Sequence, residues 1–199
     1  MRFLRSCVIL LALASAGGAS ANSEGPMPGL TGAPLKKGGG SEMNCQSCHM
    51  DYALNPDALG RIQLLGAPAV YEPGKNYVLT LQLNHPTAKR WGFQLTALTI
   101  PAYDAAGDFA PNDKTTQKSS AEGRQYIEHG AMGGRATGIG KTGGYAWSFT
   151  WTAPKDGAAN VAFFAAANMA NGNGDFTGDR IYASGKPIFT SKAPAKRKN

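Results

Sequence analysis

The sequence predicts an all-β protein, an immunoglobulin-like antiparallel β-sandwich preceded by a Gly- and Pro-rich segment that carries a CxxCH motif. Three observations carry this prediction. Apolar residues recur with a period of two over several stretches, turn residues punctuate those stretches at short intervals, and no segment shows a helical period of convincing length. About seven strands so spaced describe a sandwich rather than an alternating α/β fold.

The elements follow in order. "RIQLL" at 61–65 reads as a short first strand. In "NYVLTLQL", Tyr77, Leu79, Leu81 and Leu83 alternate with Val78, Thr80 and Gln82. In "WGFQLTALTI", Trp91, Phe93, Leu95 and Ala97 share one face, and in "YAWSFTWT" so do Tyr145, Trp147, Phe149 and Trp151. "NVAFFAAAN" at 160–168 is apolar on both faces and is expected to be a central strand. "RIYASGKPIFT" reads as one last strand, with Pro187 marking an edge. The polar stretch from Ala102 to Arg124 is expected to be a long loop. "EPGK", "NHPT", "APKDG" and "NGNGD" supply the turn chemistry between these elements.

Residues 1–21 have the layout of a secretory signal peptide. Arg2 and Arg5 precede an apolar run from Val8 to Ala14, and Ala19, Ser20 and Ala21 offer a small-residue cleavage site. An exported protein, periplasmic or extracellular, is the expectation. Its removal takes Arg2 and Arg5 and lowers the formal net charge from +7 to +5; it also removes Cys7, leaving Cys45 and Cys48. Residues 22–58 form a lead poor in bulky side chains, either flexible or laid as an arm over a core built elsewhere. The sandwich is expected over 59–190, and 191–199 form a basic tail. The positive charge suits an acidic partner, while export and the lack of aromatic residues among the charges argue against nucleic acid. No stretch of the mature chain is long and apolar enough to span a membrane.

"NCQSCHM" at 44–50 holds the chemistry. Two thiols two residues apart can each add to one vinyl group of haem, and the histidine that follows can then bind the iron from the proximal side. Cys45 and Cys48 are therefore candidate haem c thioethers and His49 a candidate iron ligand. Three other readings compete. A Cys45–Cys48 disulfide could pin the lead to the sandwich in a non-enzymatic adhesion or ligand-binding module. Thioredoxin-like redox chemistry would need a helix N-terminus in a βαβ setting. Zinc held by both cysteines would need two more ligands, from His85 and His129 or from His49 and His129, without the usual paired spacing.

Haem iron has a second axial position. His85, His129, Met132, Met169, Met27 and Met43 are candidates, Met50 being too near His49 to reach the opposite face. His129 is preferred, because Tyr126 and Ile127 suggest a strand end able to hold its imidazole. Two further motifs are set aside. In "GIGKTGG" the first glycine of a phosphate loop is replaced by Arg135, and in "NGNGDFTGD" Tyr182 stands where an EF-hand needs a glutamate, so the latter reads as a hairpin turn.

Taken together, "GLTGAP", "CQSCH", "YEPGKNYVLTLQL", "RWGFQLTAL", "QYIEH", "WSFTWTAP" and "AANMANGNGDFTGDRIY" resemble the bacterial reeler-like (reelin-domain, choice-of-anchor V) proteins over about Gly29 to Tyr182. The resemblance implies a reeler-type sandwich. For CxxCH-bearing members it implies one covalent haem on Cys45 and Cys48 with His49 proximal, and it favours His129, in the matching YIEH position, as the distal ligand. The expected function is that of an exported monohaem electron carrier rather than a catalyst, serving a redox partner protein.

Overall fold

The computed structural model describes residues 24–36, 39–132, 135–136, 138–157, 159–184 and 188–192. The expected signal peptide, Pro187 and most of the basic tail lie outside them. Two sheets pack face to face. One has four strands in the order β1 (Arg61–Leu65), β3 (Asn76–His85), β10 (Gly143–Thr152) and β5 (Asp108–Pro111). The other has seven, in the order β2 (Val70–Tyr71), β13 (Ile188–Lys192), β11 (Asn160–Ala170), β4 (Arg90–Ile100), β7 (Arg124–His129) and β6 (Thr116–Ala121), with β12 (Arg180–Ala183) also paired to β11. Two short strands, β8 (Ala131–Met132) and β9 (Arg135–Ala136), pair with each other.

The period-two pattern sets which faces meet. Leu79, Leu81 and Leu83 of β3 and Trp147, Phe149 and Trp151 of β10 turn inward against Trp91, Phe93, Leu95 and Ala97 of β4 and Val161, Phe163, Ala165, Ala167 and Met169 of β11. The indole N–H groups stay satisfied: Trp151 donates to the Ala106 carbonyl at 2.9 Å and Trp91 to that of Lys141 at 2.7 Å.

The structure corrects the sequence reading in three places. The stretch expected as a loop from Ala102 to Arg124 contains β5, which extends the four-stranded sheet, and β6, which pairs with β7. Their alternation is polar and short, so it leaves little hydrophobic signal. The expected last strand is two strands, β12 and β13, each antiparallel to a different part of β11. One pairing, β13 with β2, is parallel in an otherwise antiparallel structure.

From Glu24 onward the lead lies as an arm over the outer face of the larger sheet. Ala33 packs with Leu98, Ala162 and Phe164 there, which is why β11 is apolar on both faces. The polar residues of β4 that alternate with its core side chains are buried under the arm instead of facing water. Gln94 accepts from Leu30 N–H at 2.6 Å and donates to the Met27 carbonyl at 2.9 Å and to Glu128 at 2.7 Å. Glu42 fastens the arm near the CxxCH: Arg124 donates to it at 2.6 Å, Tyr126 at 2.6 Å and Thr31 at 2.6 Å.

Candidate functional site

The CxxCH segment follows that anchor directly. Asn44 caps a single 3-10 turn, Cys45–Ser47, by accepting from Gln46 N–H at 2.8 Å. His49 N–H returns to the Cys45 carbonyl at 3.2 Å, so the backbone doubles back and brings both cysteines and His49 to one wall of a cleft. The cleft has a volume of about 250 Å³. Its floor is the outer face of the large sheet at Gly92 and Asn168, register partners on β4 and β11. The 172–176 loop, Asp179, Pro26, Met27 and Leu30 complete the walls, together with His129.

His129 arrives there through an interrupted ladder. β4 and β7 share two residue pairs, Gln94 with Glu128 and Leu95 with Ile127. Beyond them the His129 ring takes the place of a backbone partner: its Nδ1 lies 3.1 Å from Phe93 N–H and 3.2 Å from the Phe93 carbonyl oxygen. The ring crosses the position where a side chain at residue 92 would begin. A Cβ on Gly92 would stand 2.9 Å from His129 Cε1, so the glycine is required by close approach. Burial holds the His129 pKa below the ordinary imidazole value, and the charge of Arg90 acts in the same direction against the Phe93 hydrogen bond. The imidazole is therefore neutral at pH 7, the form that binds a metal.

His49 is fixed differently. Its Nδ1 lies 2.8 Å from Oδ2 of Asp179, a carboxylate with 3% of its side chain exposed. Asn168 Nδ2 donates to the same oxygen at 3.0 Å, Asn171 N–H donates to Oδ1 at 3.2 Å, and the Phe176 ring meets the imidazole edge-on at 5.0 Å. With Nδ1 on Asp179, Nε2 is the nitrogen a ligand would take, in place of the Asn168 amide that lies 3.3 Å from it.

Cys45 and Cys48 are free thiols, with no disulfide between them. Burial pushes the Cys45 thiol up to about 12, with the charge of Cys48 adding to it. Such a thiol stays protonated at neutral pH and is a poor nucleophile for disulfide exchange, against a thioredoxin-like role. Among the described residues no three His, Cys, Asp or Glu side chains cluster closely enough to hold a metal ion.

Of the other axial candidates, Met27 lines the cleft, Met169 is buried in the sandwich core, and Met43 is exposed outside the residues that line the cleft. His85 lies away from it, with Nδ1 accepting from Thr87 N–H at 3.2 Å and its ring beside Tyr182. The side chain of Met132 is outside the described part. The donor set fits a c-type haem: two thiols and an anchored imidazole on one wall, a second neutral imidazole on another, and a glycine and small residues where bulk would obstruct. Sequence reasoning missed Asp179, Asn168, Phe176 and Gly92. The 171–179 stretch does connect the antiparallel β11 and β12 as a hairpin, but its length serves the cleft wall.

No family model matches this chain, and no curated protein matches it. Solved structures similar to it include the human F-spondin reeler domain, 23% identical over 68% of this chain and 90% of that one, with a TM-score of 0.46. The Reelin-N domain of F-spondin is 21% identical over 75% and 97%, with a TM-score of 0.49. AvmM, which catalyses macrocyclization in alchivemycin A biosynthesis, is 11% identical over 71% and 94%, with a TM-score of 0.44. These are likenesses of fold. No helix among the described residues is long and apolar enough to cross a membrane.

Proposed function

We propose that this chain is an exported monohaem c-type cytochrome that carries electrons rather than catalysing a reaction. The observation that supports it is the meeting of Cys45, Cys48 and His49 with His129 in one cleft, although His129 lies 80 residues beyond His49 in the chain. In this reading Cys45 and Cys48 would hold the haem as thioethers, and the imidazoles of His49 and His129 would bind its iron. Bound there, the haem supplies a one-electron ferric/ferrous couple.

The chain's own part is to hold these atoms still and keep water scarce. The Arg124–Glu42 clamp fixes the arm three residues before Cys45. Asp179 faces His49 Nδ1, and His129 would present an Nε2 lone pair in the tautomer that donates Nδ1–H to the Phe93 carbonyl, as opposed to the one that accepts from the Phe93 N–H. Two imidazole ligands place the potential below that of a His/Met pair. The formal charge of +5 that remains once residues 1–21 are removed favours an acidic redox partner, with salt-sensitive association.

The test is the intact mass and visible spectrum of protein exported by a host with c-type maturation machinery. The expected result is a mass one haem above the mature chain, stable to acid extraction, with α and β bands that sharpen on dithionite. A colourless protein two hydrogens short of the reduced chain would instead mean a Cys45–Cys48 disulfide and a binding module.

A further inference from the structure

We infer that Asp179 is a positioning residue for His49, and that its carboxylate strengthens the imidazole as an electron donor toward whatever His49 Nε2 binds. The second half rests on the cytochrome reading above; the first half does not. The geometry is that of a carboxylate–histidine pair: 2.8 Å from Nδ1 to Oδ2, with the carboxylate almost wholly removed from water. A hydrogen bond from Nδ1–H to an anion in such surroundings locks the tautomer, orients the ring and raises the basicity of the opposite nitrogen.

The carboxylate is itself held in place. Asn168 donates to the same Oδ2 as the imidazole, and the Asn171 N–H donates to Oδ1. The loop that carries it is stiffened by successive Asx turns, Asn173 N–H to Asn171 and Asp175 N–H to Asn173, at 2.9 and 3.0 Å. The Gly178 N–H donates to Asp51 at 2.6 Å and ties the loop to the residues just after His49. An aspartate needed only to close the hairpin would have its work done by Oδ1 on Asn171; Oδ2 is spent on the imidazole.

A stronger histidine donor stabilises ferric over ferrous iron, so the carboxylate is expected to lower the potential. Asp179→Asn keeps the shape and an acceptor oxygen but removes the anion. The haem protein is expected to retain its covalent haem while its midpoint potential moves to a more positive value, and Asp179→Glu to move it back toward wild type. Asp175→Asn removes a charge from the same cleft without touching His49 and serves as the control. Equal shifts in Asp175→Asn and Asp179→Asn, or none in Asp179→Asn, overturn the donor-strength claim.

The positional claim is read separately by nitrogen NMR of His49 in wild-type apoprotein, which requires no variant to fold. A protonated Nδ1 whose N–H proton is shifted downfield, with the unprotonated Nε2 as the more downfield nitrogen, is expected; the Nε2–H tautomer overturns it. Wild-type protein that never acquires haem would end the cytochrome reading and the potential argument with it, leaving the NMR result to decide the hydrogen bond.

Discussion

Arg124 and Glu42 are both almost fully buried, at 5% and 6% side-chain exposure, and lie 2.6 Å apart. Removing one partner of such a pair strands the other charge, at a cost of about 3–5 kcal/mol. Arg124→Met is therefore expected to lower the urea midpoint of the apoprotein strongly. Because the two residues share the Arg124–Glu42 contact, although Glu42 also accepts from Tyr126 and Thr31, the double variant Arg124→Met, Glu42→Leu is expected to lose less than the sum of the two single changes. A strictly additive result would mean that the clamp is not a pair. Tyr182 offers a pH-dependent case away from the cleft. Its hydroxyl donates to Asp57 at 2.6 Å, and this bond holds the Asp57 pKa below its ordinary 3.8. Between the lowered folded value and 3.8 the unfolded chain binds more protons, so the stabilisation is present above 3.8 and lost as pH falls through the folded value. Tyr182→Phe is expected to move the acid-unfolding midpoint to higher pH, which circular dichroism across an acid titration would record.

At the scale of elements, the site depends on how β7 leaves β4. Two ladder pairs followed by an imidazole in the third place put the His129 ring against Gly92. Gly92→Ala would crowd that ring at 2.9 Å, an overpacking cost of about 1–3 kcal/mol. The expected outcome in the haem protein is a displaced distal histidine, seen as a change from a low-spin to a high-spin ferric spectrum, with the covalent haem retained. An unchanged low-spin spectrum would show that His129 is not the distal ligand. The same strand illustrates what periodicity can miss. Its alternation marks the core face correctly, yet Gln94 and Thr96 on the other face are fully buried, Gln94 against the arm and Thr96 against β7. A Gly- and Pro-rich arm has no periodicity of its own, so its docking is written in single contacts that only the folded sheet brings together.

For the whole molecule, the charge balance leads to a kinetic prediction. If an acidic carrier reduces this protein, the second-order rate is expected to fall as salt rises from about 0.01 to 0.15 M, since the Debye length shrinks from about 30 to about 8 Å. Stopped-flow measurement at several ionic strengths would detect it, and a rate indifferent to salt would remove electrostatic docking from the account. The sandwich itself was legible because a core face imposes a period of two, which β3, β4 and β10 carry, while β11, apolar on both faces, was legible as a central strand. The thiols and His49 were legible as a candidate site because CxxCH is a local spacing, read from neighbouring residues alone. Strands as short and polar as β5 and β6 left no such trace.

The chain by itself determined the strand faces, the CxxCH and a short list of histidines and methionines. The tertiary structure decided which of these share a cleft: it brought His129 and Met27 there and left His85 and Met169 elsewhere. It also supplied Asp179, 130 residues from its imidazole. The physical reason is the range of each interaction. Backbone periodicity and thioether spacing are properties of neighbouring residues, whereas a hydrogen bond between two loops depends on strand register, a glycine's missing Cβ and the path of the arm. Those are decided only when the sheets close.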